Sequence, residues 1–434
     1  MPAPEGIRPR RRSMVVLASV CALLTALVPP ASAGEWDSGS WDSQVVDSFG
    51  GLSTNSGLSV DVDSRGRPHV AYYALEGTDL RYAVRTGAGW ETETVDDYQV
   101  VGPDCSLALD QDDVPHICYY DKTNEELEYA RRNGTGWVTE TVDWLGIVGV
   151  GTTVAVGPGG DPYVAYVGAR TLRCAHREAG GWNVTVVDGG EQHVYTPSMV
   201  VDGEGVPHIL YLGASTVKHA HLVDGNWTLE EVDMLRLGTF AMGTSLRIGP
   251  GGELVACYAN DAATSVVVAR RTGEGWDTER VSVDHYLGDL DMELDDEGDP
   301  HIALIDLAFD DERQLVNTDV WYLEKEGAEW TRGVVMGSQE HHGILLDLYL
   351  DGDGGPCLAL VDLDPIATEA DLDHFSGWTG EHIEAYTGEG PGDDGDGEGS
   401  PGGRSPMLIL SVVVLAVVVL LAIYGMVWHR GAEG

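Results

Sequence analysis

Gly87-Ala88-Gly89-Trp90-Glu91-Thr92-Glu93-Thr94-Val95-Asp96 returns almost unchanged as Gly134-Thr135-Gly136-Trp137-Val138-Thr139-Glu140-Thr141-Val142-Asp143, and in shortened form as Gly225-Asn226-Trp227-Thr228-Leu229-Glu230-Glu231-Val232-Asp233. Tryptophan marks the same place at 41, 90, 137, 182, 227, 276, 330 and 378, at intervals of 49, 47, 45, 45, 49, 54 and 48 residues. Three more blocks recur between the tryptophans, exemplified by Ser106 to Asp110, by Pro115-His116-Ile117-Cys118-Tyr119-Tyr120, and by Leu127-Glu128-Tyr129-Ala130. Each alternates apolar and polar residues over four to eight positions, the period of a half-buried strand. Between the first two blocks lie Asp202 to Gly205, Asp295 to Gly298 and Asp351 to Gly354, in which Asp opens a tight turn and Gly takes its left-handed position. One repeat is therefore four short antiparallel strands, a to d, with the Trp opening strand d.

Units of this length and strand content predict an all-β, seven-bladed β-propeller of four-stranded blades over residues 34–387, plus one C-terminal transmembrane helix. The seventh unit is expected to have an irregular third strand at Asp371 to Phe375 and its own Trp378 strand, with the extra strand at Trp41 helping closure.

The ends read as address. Residues 1–33 carry a basic start (Arg8, Arg10, Arg11, Arg12), an apolar run from Met14 to Val28 and a small-residue cleavage site at Ala31-Ser32-Ala33, the order of a signal peptide. Arg11-Arg12 also resembles a twin-arginine export signal. Residues 388–406 form a Gly/Asp/Glu/Pro-rich stalk, 407–428 are 22 uncharged residues long enough to span a bilayer, and 429–434 are a short cytosolic tail. The expected location is the cell membrane, single-pass, with the propeller outside.

Charge narrows the partners. The chain has 25 basic and 71 acidic side chains, and residues 34–405 alone carry 20 and 69, a net of −49. With only three lysines, nucleic-acid binding through a basic face is excluded. Such a surface repels itself at low salt, which suggests a salt-rich setting.

Through its Pro-His-Ile-Ala-type and Gly-x-Gly-Trp strands, residues 41–384 resemble the sialidase-like (BNR-type) repeat propellers of microbial surfaces. The resemblance implies the fold, and as one expectation a carbohydrate-active hydrolase. The chain departs from that family's pattern: its turns read Asp-x-x-Gly followed by Pro-His, its Trp lies in another strand, and no arginine triad can be mapped.

Candidate functional residues follow from position in the repeat. The recurring Trp residues suit blade-to-blade packing. His69, His116, His208 and His301 recur in strand b, where other units have Tyr163, Val255 and Cys357. A structural hydrogen bond fits that series better than metal ligation, because equivalent positions in different blades stand apart. Cys118 and Cys257 read as small buried fillers, and Cys105 and Cys118 flank one hairpin where a bridge is conceivable. The variable d-to-a and b-to-c loops carry Trp144, His193, Tyr195, Phe240, His285, Tyr286, His341, Asp121, Asp306 and Asp362. Aromatic faces beside carboxylates suit a glycan, a cationic group or a protein ligand at this top face. Sequons at Asn133, Asn183 and Asn226 flank strand d and are glycosylation candidates. Asp61-Val62-Asp63 and Asp351-Gly352-Asp353 start like calcium loops without the later bidentate acid, so no cofactor is expected and calcium is the one candidate ion. No catalytic or metal-ligating residue is assigned. The expected function is a membrane-anchored extracellular, non-catalytic binding or adhesion module. The alternatives are a sialidase-like hydrolase using Asp121, Asp306 or Asp362 as a carboxylate pair, and a structural protein of the cell envelope.

Overall fold

The computed structural model describes residues 41–49, 57–74, 77–190, 195–235, 243–260, 263–283, 285–309, 315–327, 329–336, 343–351, 354–363 and 381–388. They form 28 strands and no helix. Strand β1 is Trp41–Phe49. The first blade follows as β2 (Leu58–Val62), β3 (Pro68–Ala74), β4 (Asp79–Thr86) and β5 (Gly89–Asp96). The second is β6 (Ser106–Leu109), β7 (Pro115–Asp121), β8 (Glu126–Asn133) and β9 (Gly136–Asp143); the third is β10 (Val148–Val156), β11 (Pro162–Gly168), β12 (Thr171–Glu178) and β13 (Gly181–Asp188). The fourth is β14 (Tyr195–Val201), β15 (Pro207–Leu212), β16 (Thr216–Val223) and β17 (Asn226–Met234), and the fifth is β18 (Thr244–Ile248), β19 (Leu254–Asn260), β20 (Ser265–Thr272) and β21 (Gly275–Ser282). The sixth is β22 (Tyr286–Leu294), β23 (Pro300–Phe309), β24 (Leu315–Glu326) and β25 (Glu329–Met336). The remaining strands are β26 (Gly343–Leu350), β27 (Pro356–Leu363) and β28 (Glu381–Gly388).

The expectation of a seven-bladed propeller, with a seventh unit carrying its own Trp378 strand, is corrected here. Six blades are complete in themselves, each a sheet of four consecutive strands. The last sheet is composite, in the order β1-β28-β27-β26. Residues 381–388 take its third position, and the Trp41 strand supplies the fourth, pairing antiparallel with β28 from Trp41↔Gly388 to Phe49↔Glu381. Trp378 lies outside the described residues, as do the signal peptide, most of the stalk and the transmembrane segment. Among the described residues no helix is long and apolar enough to cross a membrane.

The a-to-b turns follow the repeat logic. In Asp202, Asp295 and Asp63 one carboxylate oxygen accepts the backbone N–H groups two and four residues on, while Gly205, Gly298 and Gly66 take positive φ. The recurring Trp packs between sheets: Tyr82 of β4 meets Trp137 edge-on at 5.2 Å between ring centroids, Tyr129 of β8 meets Trp182 at 5.0 Å, and Tyr322 of β24 meets Trp41 at 5.6 Å. Trp41 thus fills, for the composite sheet, the place that Trp137 fills for the second blade.

Around the axis the inner strands are tied by side chains that accept from the next sheet's backbone. Ser59 accepts from Leu107, Ser106 from Val154 and Ser198 from Leu246, each N–H···O at 3.0–3.1 Å. Asp291 accepts from Leu348 at 3.1 Å, and Asp347 of the composite sheet accepts from Val60 of the first blade at 2.7 Å. That last bond closes the ring.

Removing the Trp41 indole should therefore loosen both chain ends at once. Trp41→Ala is expected to cost about 3–5 kcal/mol, the usual loss for a buried Trp, read as a lowered urea midpoint. An unchanged midpoint would mean that strand 41–49 does not close the ring.

Candidate functional site

A repeated anchor holds the loops of the top face. The Asp that ends strand d accepts a hydrogen bond from a strand-b tyrosine of the next sheet: Tyr72 to Asp47 at 2.6 Å, Tyr119 to Asp96 at 2.6 Å, Tyr166 to Asp143 at 2.7 Å, Tyr211 to Asp188 at 2.8 Å and Tyr258 to Asp233 at 3.2 Å. A cation joins at four of them, Arg81, Arg173, Lys218 and Arg280. Burial and the facing carboxylate push Tyr72, Tyr119, Tyr166 and Tyr258 far above the ordinary tyrosine pKa, so these four stay protonated donors.

The d-to-a loops grow from these anchors. Asp143 also accepts from the Leu145 amide at 3.0 Å, pinning the loop Trp144-Leu145-Gly146-Ile147 at its root. Its side chains then face solvent: Trp144 is 64% and Leu145 68% exposed, with Ile147 exposed beside them. Backbone bonds knit this loop to its neighbours. Ala169 donates to Ile147, Val148 to Glu125, and Lys122 to Val100, so the loops of the first three blades form one layer that also exposes Tyr98.

The other expected residues fall in several places. Asp121 is buried, its Oδ1 accepting from the Thr123 and Asn124 amides and its Oδ2 from the Asn124 side chain. Asp306 is buried in the sixth blade with His285 Nδ1 at 2.8 Å, and Tyr286 is exposed beside that pair. Tyr195 is half-buried at the start of β14 against the fourth- and fifth-blade core. Asp362 pairs with Gly343 and His382 in the composite sheet. His193, Phe240 and His341 lie outside the described residues. The arrangement brings His285, Tyr286 and Asp306 together, and Trp144 with Leu145 and Ile147; these groups sit in different parts of the ring. Asn133, Asn183 and Asn226 are all exposed at c-to-d hairpins. The five cysteines 105, 118, 174, 257 and 357 are buried and free, and burial lifts the Cys118 and Cys174 thiols to about 12, leaving them unreactive.

At the opposite face the strand-b histidines form relays. His69 and His116 stand with Nε2 against the turn aspartates Asp63 and Asp110, at 3.4 and 3.3 Å, and with Nδ1 against the hydroxyls of Tyr82 and Tyr129. His301 meets Tyr322 in the same way. The carboxylate fixes the proton on Nε2, and the tyrosine donates to Nδ1. The fourth blade departs from this pattern: His208 keeps its Asp202 contact at 3.3 Å, but the tyrosine position holds His219, with His221 alongside. Burial lowers the pKa of all three rings, that of His219 to about 3 with His208 adding to it. Sequence reasoning passed over His219 and His221. The signal was there: two residues apart in a strand, they share a face, and the register puts His221 directly across from His208.

A third cluster lines the axis. Arg247 of β18 donates to Glu293 at 2.8 Å and to Asp291 at 3.1 and 3.2 Å, near Asp61, Asp289 and Asp347. Burial raises Asp289 and Glu293 to about 7 and Asp347 well above the carboxylate range. A carboxyl raised in this way binds its proton more tightly folded than unfolded. Its contribution therefore falls as pH rises from about 4 to about 7 and levels off beyond. Glu293→Gln should accordingly gain stability relative to the parent across that window, measured as urea midpoints at pH 4.5, 6 and 7.5. A difference that does not change with pH would show that Glu293 stays ionised.

No protein-family model and no curated protein matches the chain. Among solved structures it is similar to a polysaccharide lyase, Uly1, at 11% identity and TM-score 0.45, covering 76% of this chain and 90% of that one. It is also similar to an oligogalacturonate lyase from Vibrio parahaemolyticus at 9% identity and TM-score 0.47, covering 80% and 98%. YCF48 from Cyanidioschyzon merolae is similar at 11% identity and TM-score 0.46, covering 80% and 98%.

Proposed function

We propose that the chain is a membrane-anchored extracellular propeller that binds a protein ligand, without catalysis, through the loop layer of its first three blades. The observation that carries this reading is the exposed Trp144-Leu145-Gly146-Ile147 loop held at its root by the buried Asp143–Tyr166 bond. An exposed apolar cluster on a rigid base is the usual form of a docking site, because its burial is favourable and little ordering entropy opposes it. Leucine and isoleucine beside the Trp fit an apolar protein surface better than a sugar, which is met by aromatic faces and polar groups. The hydrolase alternative needs a free carboxylate pair, and both oxygens of Asp121 are committed to its own turn. Anchoring is expected to rest on residues 407–428.

The test is affinity capture of surface proteins with the full-length chain in high salt, beside a glycan array and a hydrolysis screen. A Trp144→Ala/Leu145→Ser variant should lose at least about 30-fold in affinity for the captured partner, as central apolar anchors do, with its melting temperature unchanged. Turnover of a glycan would overturn the reading, and saturable glycan binding without a protein partner would reassign the ligand. Deleting 407–428 should release the protein from membranes into the soluble fraction.

A further inference from the structure

Where three blades place a tyrosine hydroxyl, the fourth places an imidazole, and the hydrogen-bond count no longer closes. Asp202 lies 3.3 Å from His208 Nε2, and a carboxylate only accepts, so Nε2 carries the proton and Nδ1 presents a lone pair. Glu230 lies 3.4 Å from His219 Nδ1, which by the same argument carries its proton and leaves a lone pair on Nε2. These two lone-pair nitrogens face each other at 3.1 Å. In the first, second and sixth blades that contact is satisfied, because Tyr82, Tyr129 and Tyr322 donate an O–H to the equivalent Nδ1. Reversing the His219 tautomer does not help, since it would set a lone pair against Glu230. A third nitrogen, His221 Nδ1, is buried beside them without a hydrogen-bond partner.

A cation resolves all three contacts. The ligand nitrogens of His208, His219 and His221 lie within 4.8 Å of one another. Nitrogens on a tetrahedral ion at 2.0–2.1 Å would stand about 3.3 Å apart, close to the observed 3.1 Å. Asp202 and Glu230 are placed as the outer carboxylates that orient metal-binding imidazoles, with Glu230 itself held by Arg271 at 2.7 Å. Trp276 of the fifth blade closes the apolar side of the cluster, edge-on to His219 at 5.4 Å.

We propose that His208, His219 and His221 bind one divalent transition-metal ion of the zinc class, through three neutral imidazoles with a fourth position left for water. The site is independent of the top-face ligand, since the a-to-b and c-to-d turns lie at the opposite end of every sheet from the loops that carry Trp144.

The experiment uses the full-length chain, stripped with chelator and titrated with Zn²⁺ by calorimetry and with Co²⁺ by visible absorption. One equivalent of Co²⁺ with the strong d–d bands of a tetrahedral nitrogen site is expected, together with a rise in melting temperature on adding Zn²⁺. Two variants borrow residues from sibling blades and so should fold: His219→Tyr, as at Tyr129, and His221→Val, as at Val84. Each should weaken Zn²⁺ binding by at least about 100-fold, the scale on which perturbing a metal site acts, and abolish the Co²⁺ bands. Zn²⁺ binding of equal affinity in His219→Tyr and the parent would overturn the proposal. So would a folded parent that takes up no Co²⁺, which would assign a shared proton to the gap between His208 and His219.

Discussion

A tyrosine hydroxyl donating into an aspartate at the end of the preceding sheet is the bond on which the ring depends. A buried carboxylate without partners costs several kcal/mol, and Asp143 and Asp188 are both buried. Each receives a short charge-assisted bond, from Tyr166 and Tyr211, and a cation besides. The same contact does two things: it fastens one sheet to the next, and it fixes the point from which a variable loop leaves. Breaking it strands a buried charge, so neighbouring sheets are coupled by more than apolar packing.

The clasp does not run the whole way round. At the register of Tyr72 and Tyr166 the sixth blade has Leu304 and the composite sheet Leu360, both fully buried. On that side the axis takes over, with Arg247, Asp289, Asp291 and Asp347 bridging the fifth blade to the sixth, the composite sheet and the first. Charge is thus spent near the axis where tyrosines are missing at the rim. Burial raises the pKa of Asp347 and Asp289, which tempers repulsion among the acids crowded there.

Much of this was legible in the sequence, because a repeat displays its rules several times over. The Trp period, the Asp-to-Gly turns and the b-strand histidines all follow from alternation and turn chemistry, which are local. That the Trp41 strand closes the ring against the other end of the chain was legible; that residues 381–388 take the third place beside it was not. Gly377-Trp378 carries the same short signal as Gly89-Trp90, and local pattern does not give the register in which β28 meets β1 across the chain's full length. The site residues divide in the same way. Exposure of Trp144 followed from its place in a loop, whereas the locking of Asp121 depends on its own turn geometry. His219 and His221 were visible as a pair, but their meaning needed the register that sets His221 opposite His208.

Repetition also makes departures interpretable. When three blades agree on Asp–His–Tyr and a fourth replaces the tyrosine by histidine, the Asp202–His208 contact is kept, Glu230 comes to face the new ring, and the proton donor to His208 Nδ1 is missing. Packing does not demand the exchange, since Tyr82 and His219 meet Trp137 and Trp276 at nearly the same separation, 5.2 and 5.4 Å. Stability does not favour it either, because a satisfied donor–acceptor pair is traded for two opposed lone pairs in a buried place. A change that neither packing nor hydrogen bonding explains, and that adds a third imidazole alongside, points to a ligand that supplies the missing positive charge.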